Sequence, residues 1–528
     1  MQTLAGERLV TGMKINMMKR TRTYVCIALL MNCVLFSYAE AALEVTKIQD
    51  TTVDTDAMTL SAATYGYAIN GLSFQQDAVV TYNGWQYVAY YNKDGYVCLS
   101  RRQLPSGSWQ RIEFTDHTLS TTSNAHKVVT MGICPNDGTI HLSFDHHGST
   151  LNYRVSEAGV ATNPASITWS TDRFGEVIHY LEAGESYPRV TYPRFWQTPD
   201  GNLQFGYRID GSGDGDWAMV DYDGSTGLWH DTRTVISRTG TYYDACSGNS
   251  NKRNPYMNNL AYGPGGKFYA TWCWREDAGG ANHEIMYSFS NDGGYVWLND
   301  ESNTIRIFTD SQNESQTLLT LNIGAGEDNI VGVATGEAGT EELITLDTPG
   351  TTVVDLNSCY GMMNQTTQAV DPLGRIHTVM WHCTDESYEG YSYSRWGPQG
   401  ARRYLHYFRD AQGYWHCNEL PVYVGSRPKL FIRSNGDAFL IYQSRVTENP
   451  TSTGIYFIDG DLTICGATAE SQWTDWEIIH TEPGFFLNEM LGDHYRFEQE
   501  EILSVMVQES PDWAGQSTPL RILDFTIE

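Results

Sequence analysis

Three histidines stand at the ends of one predicted β-hairpin, a position from which imidazoles can transfer protons. The segment from Ser123 to Arg154 reads as an apolar strand, a tight Asn-Asp-Gly turn and an alternating strand. A strand rises about 3.3 Å per residue, so the two arms return to the same end. His126 opens the first arm and His146-His147 end the second. The pair His126 and His146 therefore predicts general acid–base chemistry, with a functionless surface pair as the alternative.

Other strand ends carry basic or histidine side chains at the equivalent position. Each lies seven to nine residues beyond a glycine-containing turn. Such groups are costly to bury unless they are used or paired, so a functional face is favoured over chance. The set is His146-His147, Arg208, Arg275, His382-Cys383 and Arg445.

A tyrosine is expected to join this face. Tyr192 precedes Pro193 in the stretch SYPRVTYPRF and would enter an innermost strand from the same side. A neighbouring arginine can make a phenol more acidic, which suits a proton donor or acceptor. Tyr-Pro pairs are also common in turns that lead into strands, so a purely structural role is the alternative.

A recurring turn and strand predicts the elements that position these residues. A glycine turn followed by a short apolar strand recurs after Asn83, Asp137, Asp200, Gly265, Leu373 and Asn435, with a glycine-free copy, EEILSVMV, near Glu500. The spacing is about 54 to 65 residues, with one longer interval between Gly266 and Gly374. Seven such units predict an all-β, seven-bladed β-propeller with an excursion at residues 309–354. A double β-sandwich is the structural alternative.

One further motif supports the propeller. Residues Ser290 to Trp297 fit S-x-D-x-G-x-x-W, the Asp-box hairpin of sialidase-like propellers. In that hairpin the aspartate caps the turn and the tryptophan packs between strands. The motif therefore predicts structure and carries no chemistry.

Composition limits the partners. The chain has 528 residues, of which 41% are hydrophobic and 12% aromatic, enough for a large core. Its net charge of −29 argues against a nucleic-acid partner. An anionic substrate would need a local cluster of Arg or Lys that opposes the overall field. We expect a monomer with no membrane association.

The N-terminus has the pattern of a signal peptide. Lys19, Arg20 and Arg22 precede an apolar run from Tyr24 to Phe36, which is too short to span a membrane comfortably. Ala39-Glu40-Ala41 then gives a small-x-small cleavage site. We expect residues 1–41 to be removed, residues 42–528 to form a single propeller domain, and the protein to be secreted or periplasmic.

The cysteines allow a structural zinc site. Eight remain after the signal peptide, and no local spacing assigns a pairing. Counting along the predicted hairpin of RYLHYFRDAQGYWHCNEL places His406 opposite Cys417. With Cys359 and Cys383 these residues predict a closed Cys/His zinc site, for which His382, His377 or His416 are substitutes. One disulfide plus a buried thiol is the alternative, and no cofactor is expected for catalysis.

Several stretches together resemble the propeller-type ulvan lyases, a family of BNR-repeat polysaccharide lyases. They are SNAHKVVTMGI, IHLSFDHHG with LNYR, VTYPRF, FGYRIDGSGDGDW and RNPYMNNLAYGPGGKFYATWCWRE, which cover most of residues 66–297. The resemblance implies β-elimination on ulvan, a sulfated rhamnose–uronate polymer, giving 4,5-unsaturated uronyl products. A base must remove the C5 proton, a cation must neutralise the uronate carboxylate, and an acid must protonate O4.

The resemblance also implies roles for individual residues. His126 and Tyr192 match the acid/base positions, His146 is a second catalytic histidine, and Arg208 is the neutraliser. Which of His126, His146 and Tyr192 is base or acid stays open. The implied substrate-binding residues are Asn124, Tyr243, Tyr256 and Arg275.

Two other functions are alternatives. A sialidase-like glycoside hydrolase would share the propeller and the Asp box, but it would need an arginine triad, an early Arg-Ile-Pro motif and a Tyr/Glu nucleophile pair. The sequence has no Arg-Ile-Pro. A non-catalytic glycan-binding propeller would use exposed aromatic residues and would not require the histidine, tyrosine and arginine set.

Overall fold

The apolar strand that recurs in the sequence is the second strand of the sheet in each of the seven blades. The computed structural model describes residues 43–528 apart from 62–66, 212, 245, 247, 278–281, 301, 303, 309–342, 385–400, 445–446, 449–454, 457–458 and 488. The predicted signal peptide lies outside these residues and stays a prediction. Residues Leu43–Glu528 form one compact unit. No helix in the described ranges is long and apolar enough to span a membrane.

The first three blades follow one another in the chain. Strand β1 (Val45–Ala57) precedes them and belongs to the last blade. Blade 1 contains β2 (Val79–Tyr82), β3 (Trp85–Tyr91), β4 (Tyr96–Gln103) and β5 (Gln110–Thr118). Blade 2 contains β6 (Val129–Ile133), β7 (Ile140–Phe144) and β8 (Tyr153–Val155). Blade 3 contains β9 (Val190–Gln197), β10 (Leu203–Ile209), β11 (Trp217–Asp223) and β12 (Leu228–Ile236).

Blades 4 and 5 flank the longer interval in the repeat. A hairpin of β13 (Tyr242–Asp244) and β14 (Gly248–Ser250) leads into blade 4. Blade 4 contains β15 (Arg253–Tyr262), β16 (Phe268–Glu276), β17 (Asn282–Ser290), β18 (Val296–Leu298), β19 (Thr304–Ile307) and β20 (Thr352–Val354). Blade 5 contains β21 (Thr367–Val370), β22 (Ile376–Cys383), β23 (Arg402–Arg409) and β24 (Trp415–Glu419). The extra strands of blade 4 account for part of the longer interval between Gly266 and Gly374.

The last two blades complete the ring. Blade 6 contains β25 (Lys429–Ile432), β26 (Ala438–Gln443), a small hairpin of β27 (Thr447–Glu448) and β28 (Ile455–Tyr456), then β29 (Gly460–Ala467) and β30 (Glu477–Phe486). Blade 7 contains β31 (Leu491–Gly492), β32 (Ile502–Gln508) and β33 (Thr518–Ile527), with helix α1 (His494–Glu500) between β31 and β32. Short 3₁₀ turns lie at Pro164–Ser166, Thr171–Arg173, Pro264–Gly266 and Ser358–Tyr360. The prediction of seven blades is confirmed.

Packing between blades explains the apolar repeats. Every residue of β3, β7, β16 and β22 is buried, because a middle strand has a neighbouring blade against each face of its sheet. The contact is close enough to require glycine in places. A Cβ added to Gly132 in β6 would lie 2.6 Å from Cβ of Phe195 in the next blade. The predicted Asp box is also confirmed, with the Asp292 carboxylate accepting from the backbone N–H of Val296 at 2.9 Å.

The N-terminal strand closes the ring. Strand β1 pairs antiparallel with β33, from Val45 opposite Ile527 to Ala57 opposite Thr518. Beneath this pairing lies the buried carboxylate of Asp524. It accepts from Arg102 at 2.7 Å, from Arg496 at 2.9 Å and from Ser504 at 2.6 Å. This one carboxylate therefore links two buried arginines, Arg102 from blade 1 and Arg496 from α1, of which Arg496 also pairs with Glu500 at 3.1 Å.

The predicted zinc ligands do not come together, and that prediction is wrong in its ligand set. Cys359 forms a disulfide with Cys246, so its sulfur is not available as a thiolate ligand. Along β22, Cys383 lies opposite Arg402, whereas His406 lies opposite Val379. Four residues of strand separate these positions by about 13 Å. Ligands of one zinc ion, with bonds of about 2.0–2.3 Å, must lie much closer than this.

The predicted register of the hairpin that contains His406 and Cys417 is also wrong. His406 lies opposite Asn418, and Cys417 lies opposite Tyr407. Adjacent positions on a strand point to opposite faces, so His406 and Cys417 face away from each other. Two of the substitutes have other partners. His377 Nδ1 lies 2.9 Å from His406 Nε2, and His382 Nε2 lies 2.7 Å from the Tyr407 hydroxyl.

Removing the shared counter-charge should destabilise the closure. Asp524→Asn removes the carboxylate that pairs with the buried Arg102 and leaves Arg496 with only the partly exposed Glu500, so we expect the free energy of unfolding to fall by about 3–5 kcal/mol. Asp50→Asn is the matched control, since Asp50 pairs with Arg521 at the surface and both side chains are partly exposed. That change should cost less than about 1 kcal/mol. Denaturant titration would measure both, and equal effects would contradict a central role for Asp524.

The disulfide makes a separate prediction. It joins positions 113 residues apart, so replacing Cys246 and Cys359 together by serine should lower stability by about 2–5 kcal/mol. Cys417→Ser, which removes an exposed free thiol, is the control and should have little effect. Peptide mapping without reductant should recover the Cys246–Cys359 pair. Recovery of both residues as free thiols would refute the assignment.

Candidate active site

Side chains from three consecutive blades converge at one mouth of the central channel. This mouth lies where the innermost strands begin and the second strands end. Blade 2 contributes His126 and His147, blade 3 contributes Tyr192 and Arg208, and blade 4 contributes Tyr256 and Arg275. Five of these six positions were predicted from the sequence as strand-end or strand-entry positions, and Tyr256 was implied by the resemblance as a substrate-binding residue.

Two histidines form the first part of the cluster. The rings of His126 and His147 are stacked, with centroids 4.1 Å apart and planes at 8°. Asn124 lies beside both rings. Its Oδ1 is 2.8 Å from His126 Nδ1, and its Nδ2 is 2.9 Å from His147 Nδ1. The two arms of the hairpin therefore meet as predicted, through an asparagine that was expected to bind substrate.

A carboxylate holds the loop that carries Asn124 and His126. Asp145, which directly precedes the two histidines, is buried and has a positive φ of 64°. It accepts hydrogen bonds from Ser120 Oγ at 2.8 Å and from Lys127 Nζ at 2.9 Å, and His117 Nε2 lies 3.1 Å away. Burial by itself would raise the pKa of Asp145, but these bonds and the charge of Lys127 outweigh it and lower the pKa to about 2, so the carboxylate stays charged. Asp145 thus ties both ends of the loop to the turn that carries His147.

Tyr192 is aimed by an irregularity in the innermost strand β9. The register with β10 shifts between Gly206 and Arg208, so that Tyr192 and Pro193 together oppose one residue. Tyr192 has a φ of +54°, which is strained for a bulky residue and more so before proline. A bulge of this kind redirects a side chain. Strain of this sort is often stored where a side chain has a function.

Two arginines and a second tyrosine complete the cluster. The Cζ of Arg208 lies 4.5 Å from the ring centroid of Tyr192 and 5.2 Å from that of Tyr256. Arg275 donates from Nη1 to the Tyr256 hydroxyl at 3.1 Å. Tyr256 therefore packs between the guanidinium groups and fixes both. This arrangement is the local cationic cluster that the strongly acidic composition demanded for an anionic ligand.

The same cations act on the histidines. Burial, followed by the charges of His147, Arg208, Arg275 and Arg427, holds the pKa of His126 well below its usual value. Burial, followed by Arg208 and Lys127, lowers the pKa of His147 to about 4. Both rings are consequently neutral near pH 7. A neutral imidazole, a phenol and a guanidinium within a few ångströms supply an acceptor, a donor and an anion-binding group.

His146 does not take the place predicted for it. Its ring is buried, and Nε2 accepts from the backbone N–H of Asn152 at 2.7 Å. Burial lowers its pKa to about 3. His147 occupies the position beside His126 instead, because neighbouring residues at a strand end point in opposite directions. The ring that stacks on His126 is thus His147, whereas His146 Nε2 is engaged by the backbone of Asn152.

The remaining predicted residues are dispersed. Tyr243 is 73% exposed on the β13–β14 hairpin, whose Tyr242 stacks on His283 with centroids 3.6 Å apart. His382 bonds to Tyr407 and to the carbonyl of Cys383. Arg445 lies outside the described residues. Of the strand-end set, therefore, His147, Arg208 and Arg275 are brought together.

Two residues of the site were missed by the sequence reasoning. Phe74 stacks on His126 with centroids 5.5 Å apart and packs against Tyr192 at 5.1 Å. Arg427 pairs with Glu489 and lies 5.6 Å from the Phe74 ring. The sequence contains a pattern that could have identified Arg427, since this residue precedes a proline at the start of an innermost strand, just as Tyr192 does. Phe74 lies in an irregular segment and has no such pattern.

The sequence comparisons agree with the resemblance. Residues 85–421 match the model of the BNR repeat-containing family. An ulvan lyase, long isoform, from Pseudoalteromonas sp. (strain PLSV) is 27% identical over 194 residues, covering 30% of this chain and 19% of that protein. The short isoform from Alteromonas sp. (strain LOR) is 23% identical over 198 residues, covering 30% of this chain and 37% of that protein. The chain thus matches well under half the length of these curated relatives.

Solved structures share the fold across nearly the whole chain. The polysaccharide lyase Uly1 superposes with a TM-score of 0.60 at 16% identity, covering 91% of this chain and 99% of that one. A PL25 ulvan lyase bound to -[GlcA(1-4)Rha3S]- superposes with a TM-score of 0.58 at 12% identity, covering 90% and 95%. At these identities the likeness concerns the fold. The family match extends over more than half of the sequence, and the chain belongs to the BNR repeat-containing family.

Proposed function

We propose that this protein is a polysaccharide lyase that cleaves ulvan by β-elimination. The observation that carries the proposal is the cluster of His126, His147, Tyr192 and Arg208 at one mouth of the channel. Curated relatives of the chain are ulvan lyases, and the solved propellers that resemble it include ulvan lyases. The site and the relatives thus point to the same chemistry.

The cluster has a group for each step of an elimination. Arg208 would bind the uronate carboxylate and offset the negative charge that develops when C5 loses its proton. A neutral His126 would accept that proton as the base, whereas Tyr192 would accept it only in its phenolate form. The electron pair of the C5–H bond becomes the C4–C5 double bond as the C4–O4 bond breaks. With His126 as the base, the leaving O4 takes its proton from the Tyr192 hydroxyl; with a Tyr192 phenolate as the base, the phenol returns the same proton to O4, and either route closes the proton balance.

Charge favours this substrate class at the site despite the acidic chain. Arg208 and Arg275 flank Tyr256, and Arg427 adds a third guanidinium to the field at His126. An anionic polymer would meet these cations at the mouth, where the low dielectric of a partly buried site strengthens the interaction. A sialidase is less well supported, because no relative named above is a sialidase. A plain binding module would not need neutral histidines beside the arginines.

Product chemistry tests the proposal directly. Elimination leaves a double bond conjugated with the carboxylate, so ulvan digestion should raise ultraviolet absorbance, which hydrolysis cannot do. His126→Ala and Tyr192→Phe should each reduce kcat by about 10²–10⁴-fold, since proton transfer typically contributes that much. Arg208→Ala should also reduce turnover severely. If ulvan gave no absorbing product while a sialoside was hydrolysed, the lyase proposal would fail.

A matched pair of neighbouring histidines tests the placement of the site. His147→Gln should lower kcat strongly, because the ring stacks on His126 at the mouth. His146→Gln should lower stability through the lost bond to Asn152, with little change in kcat for the protein that remains folded. Turnover assays beside thermal denaturation would separate the two effects. The reverse ranking would restore His146 as the second histidine of the site.

A further inference from the structure

The side-chain amide of Asn124 has an orientation that its surroundings determine. The backbone N–H of His126 donates to Asn124 Oδ1 at 3.1 Å. A backbone N–H can only donate, so the atom that faces it must be the oxygen rather than the nitrogen of the amide. The Nδ2 group of Asn124 consequently faces His147. The usual ambiguity between oxygen and nitrogen in an asparagine is removed here.

The amide orientation then determines which nitrogen of each ring carries the proton. His126 Nδ1 lies 2.8 Å from the same Oδ1, and an oxygen without hydrogens can only accept. His126 Nδ1 must therefore be protonated, which leaves Nε2 as the acceptor of that ring. His147 Nδ1 lies 2.9 Å from the Nδ2 donor and must accept. When His147 is neutral, its proton is therefore on Nε2.

We propose that Asn124 is a positioning residue that holds the two stacked imidazoles in opposite tautomers, with an acceptor nitrogen on His126 and an N–H donor on His147. The inference rests on the proposed function for its catalytic meaning. Both Nδ1 atoms face Asn124, so both Nε2 atoms point away from it. The pair thereby offers a proton acceptor from one ring and a hydrogen-bond donor from the other.

This arrangement assigns the open roles at the site. His126 Nε2 is the base that takes the C5 proton, and the His126 ring becomes an imidazolium held by the Asn124 oxygen. His147 Nε2–H donates a hydrogen bond to an oxygen of the substrate without giving up its proton. Tyr192 is then the acid that protonates the leaving O4. The proton removed from C5 therefore goes to His126, and the proton supplied to O4 comes from a different side chain, Tyr192.

Neutrality of both rings is a condition for this arrangement. The charged groups that act on His126 are Arg208, Arg275 and Arg427, and those that act on His147 are Arg208 and Lys127. The negative charge of Asp145 is paired with Lys127, at 2.9 Å between Nζ and Oδ1. Stacking at 4.1 Å also disfavours a second positive charge once one ring is protonated. Burial, together with the cations, therefore keeps the pair neutral, and Asn124 decides where each proton resides.

The tautomers can be measured without any substrate. In protein with ¹⁵N-labelled histidine near pH 7, long-range ¹H–¹⁵N correlations distinguish the Nδ1–H from the Nε2–H tautomer. Signals are assigned by their loss in His126→Gln and His147→Gln. We expect Nδ1–H for His126 and Nε2–H for His147. The Nε2–H form at His126, or the same tautomer in both rings, would overturn the inference whether or not the protein cleaves ulvan.

Asn124→Asp tests the consequence for the reaction. A carboxylate can only accept, so His147 should change to the Nδ1–H tautomer and lose its donor toward the substrate. We expect kcat on ulvan to fall about 10²-fold or more with a smaller change in KM, and the acid limb of the pH profile to move to higher pH as the carboxylate raises both imidazole pKa values. Asn163→Asp makes the same chemical change at an exposed asparagine and should leave all readouts unaltered.

The two experiments separate this inference from the proposed function. If the wild-type protein makes no unsaturated product, the lyase proposal fails while the NMR spectra still decide the tautomers. If the wild-type protein is a lyase and Asn124→Asp shifts the His147 tautomer but keeps its kcat, the positioning role is overturned. The positioning role of Asn124 is supported if Asn124→Asp keeps its thermal transition but loses both its activity and the wild-type histidine signals.

Discussion

Closure of the ring is the constraint on which the site depends. Each blade buries both faces of its sheet against its neighbours, so a blade that is removed or displaced exposes two apolar surfaces. Strand β1 pairs with β33 and joins the two ends of the chain in blade 7. The buried Asp524 carboxylate adds an electrostatic condition, since it pairs with the buried Arg102 and Arg496, and Arg496 has only the partly exposed Glu500 besides. Displacing either β1 or β33 would therefore disturb both the strand pairing and the contacts of Asp524.

A closed ring has a consequence for chemistry. The innermost strands begin at the same mouth where the second strands end, so side chains distant in sequence meet there. His126, Tyr192 and Arg275 come from three blades, yet they surround one space. A protein with net charge −29 thereby presents a cationic cluster at that mouth. Local electrostatics, rather than the overall charge, decides what the site can bind.

The site is maintained at a cost in local stability. Tyr192 has a positive φ before a proline, and two histidines are stacked with pKa values depressed by burial and by cations. Such features persist only where the surrounding structure over-determines them. Here the bulge in β9, the Asp145 carboxylate and the Tyr256 ring each hold one part of the cluster. The rigid scaffold thus stabilises conformations that would each be unfavourable on their own.

Much of this protein was determined by its sequence. Glycine turns followed by apolar strands predicted seven blades, because middle strands buried on both faces must be apolar and must reverse at tight turns. The same pattern located Arg208 and Arg275 at strand ends and Tyr192 at a strand entry. The resemblance to ulvan lyases rested on these residues and was confirmed by the comparisons.

Only the tertiary structure decided which neighbours meet. The sequence could not choose between His146 and His147. A shift of one residue, at a bulge or in a turn, moves each following side chain to the other face of the strand. The predicted zinc site failed for the same reason, since the actual register differs by one position from the predicted one and puts His406 and Cys417 on opposite faces. The partner of Cys359 also lies 113 residues away in sequence. Periodicity records burial within a strand, whereas contacts between strands depend on register and on ring closure, which no local pattern encodes.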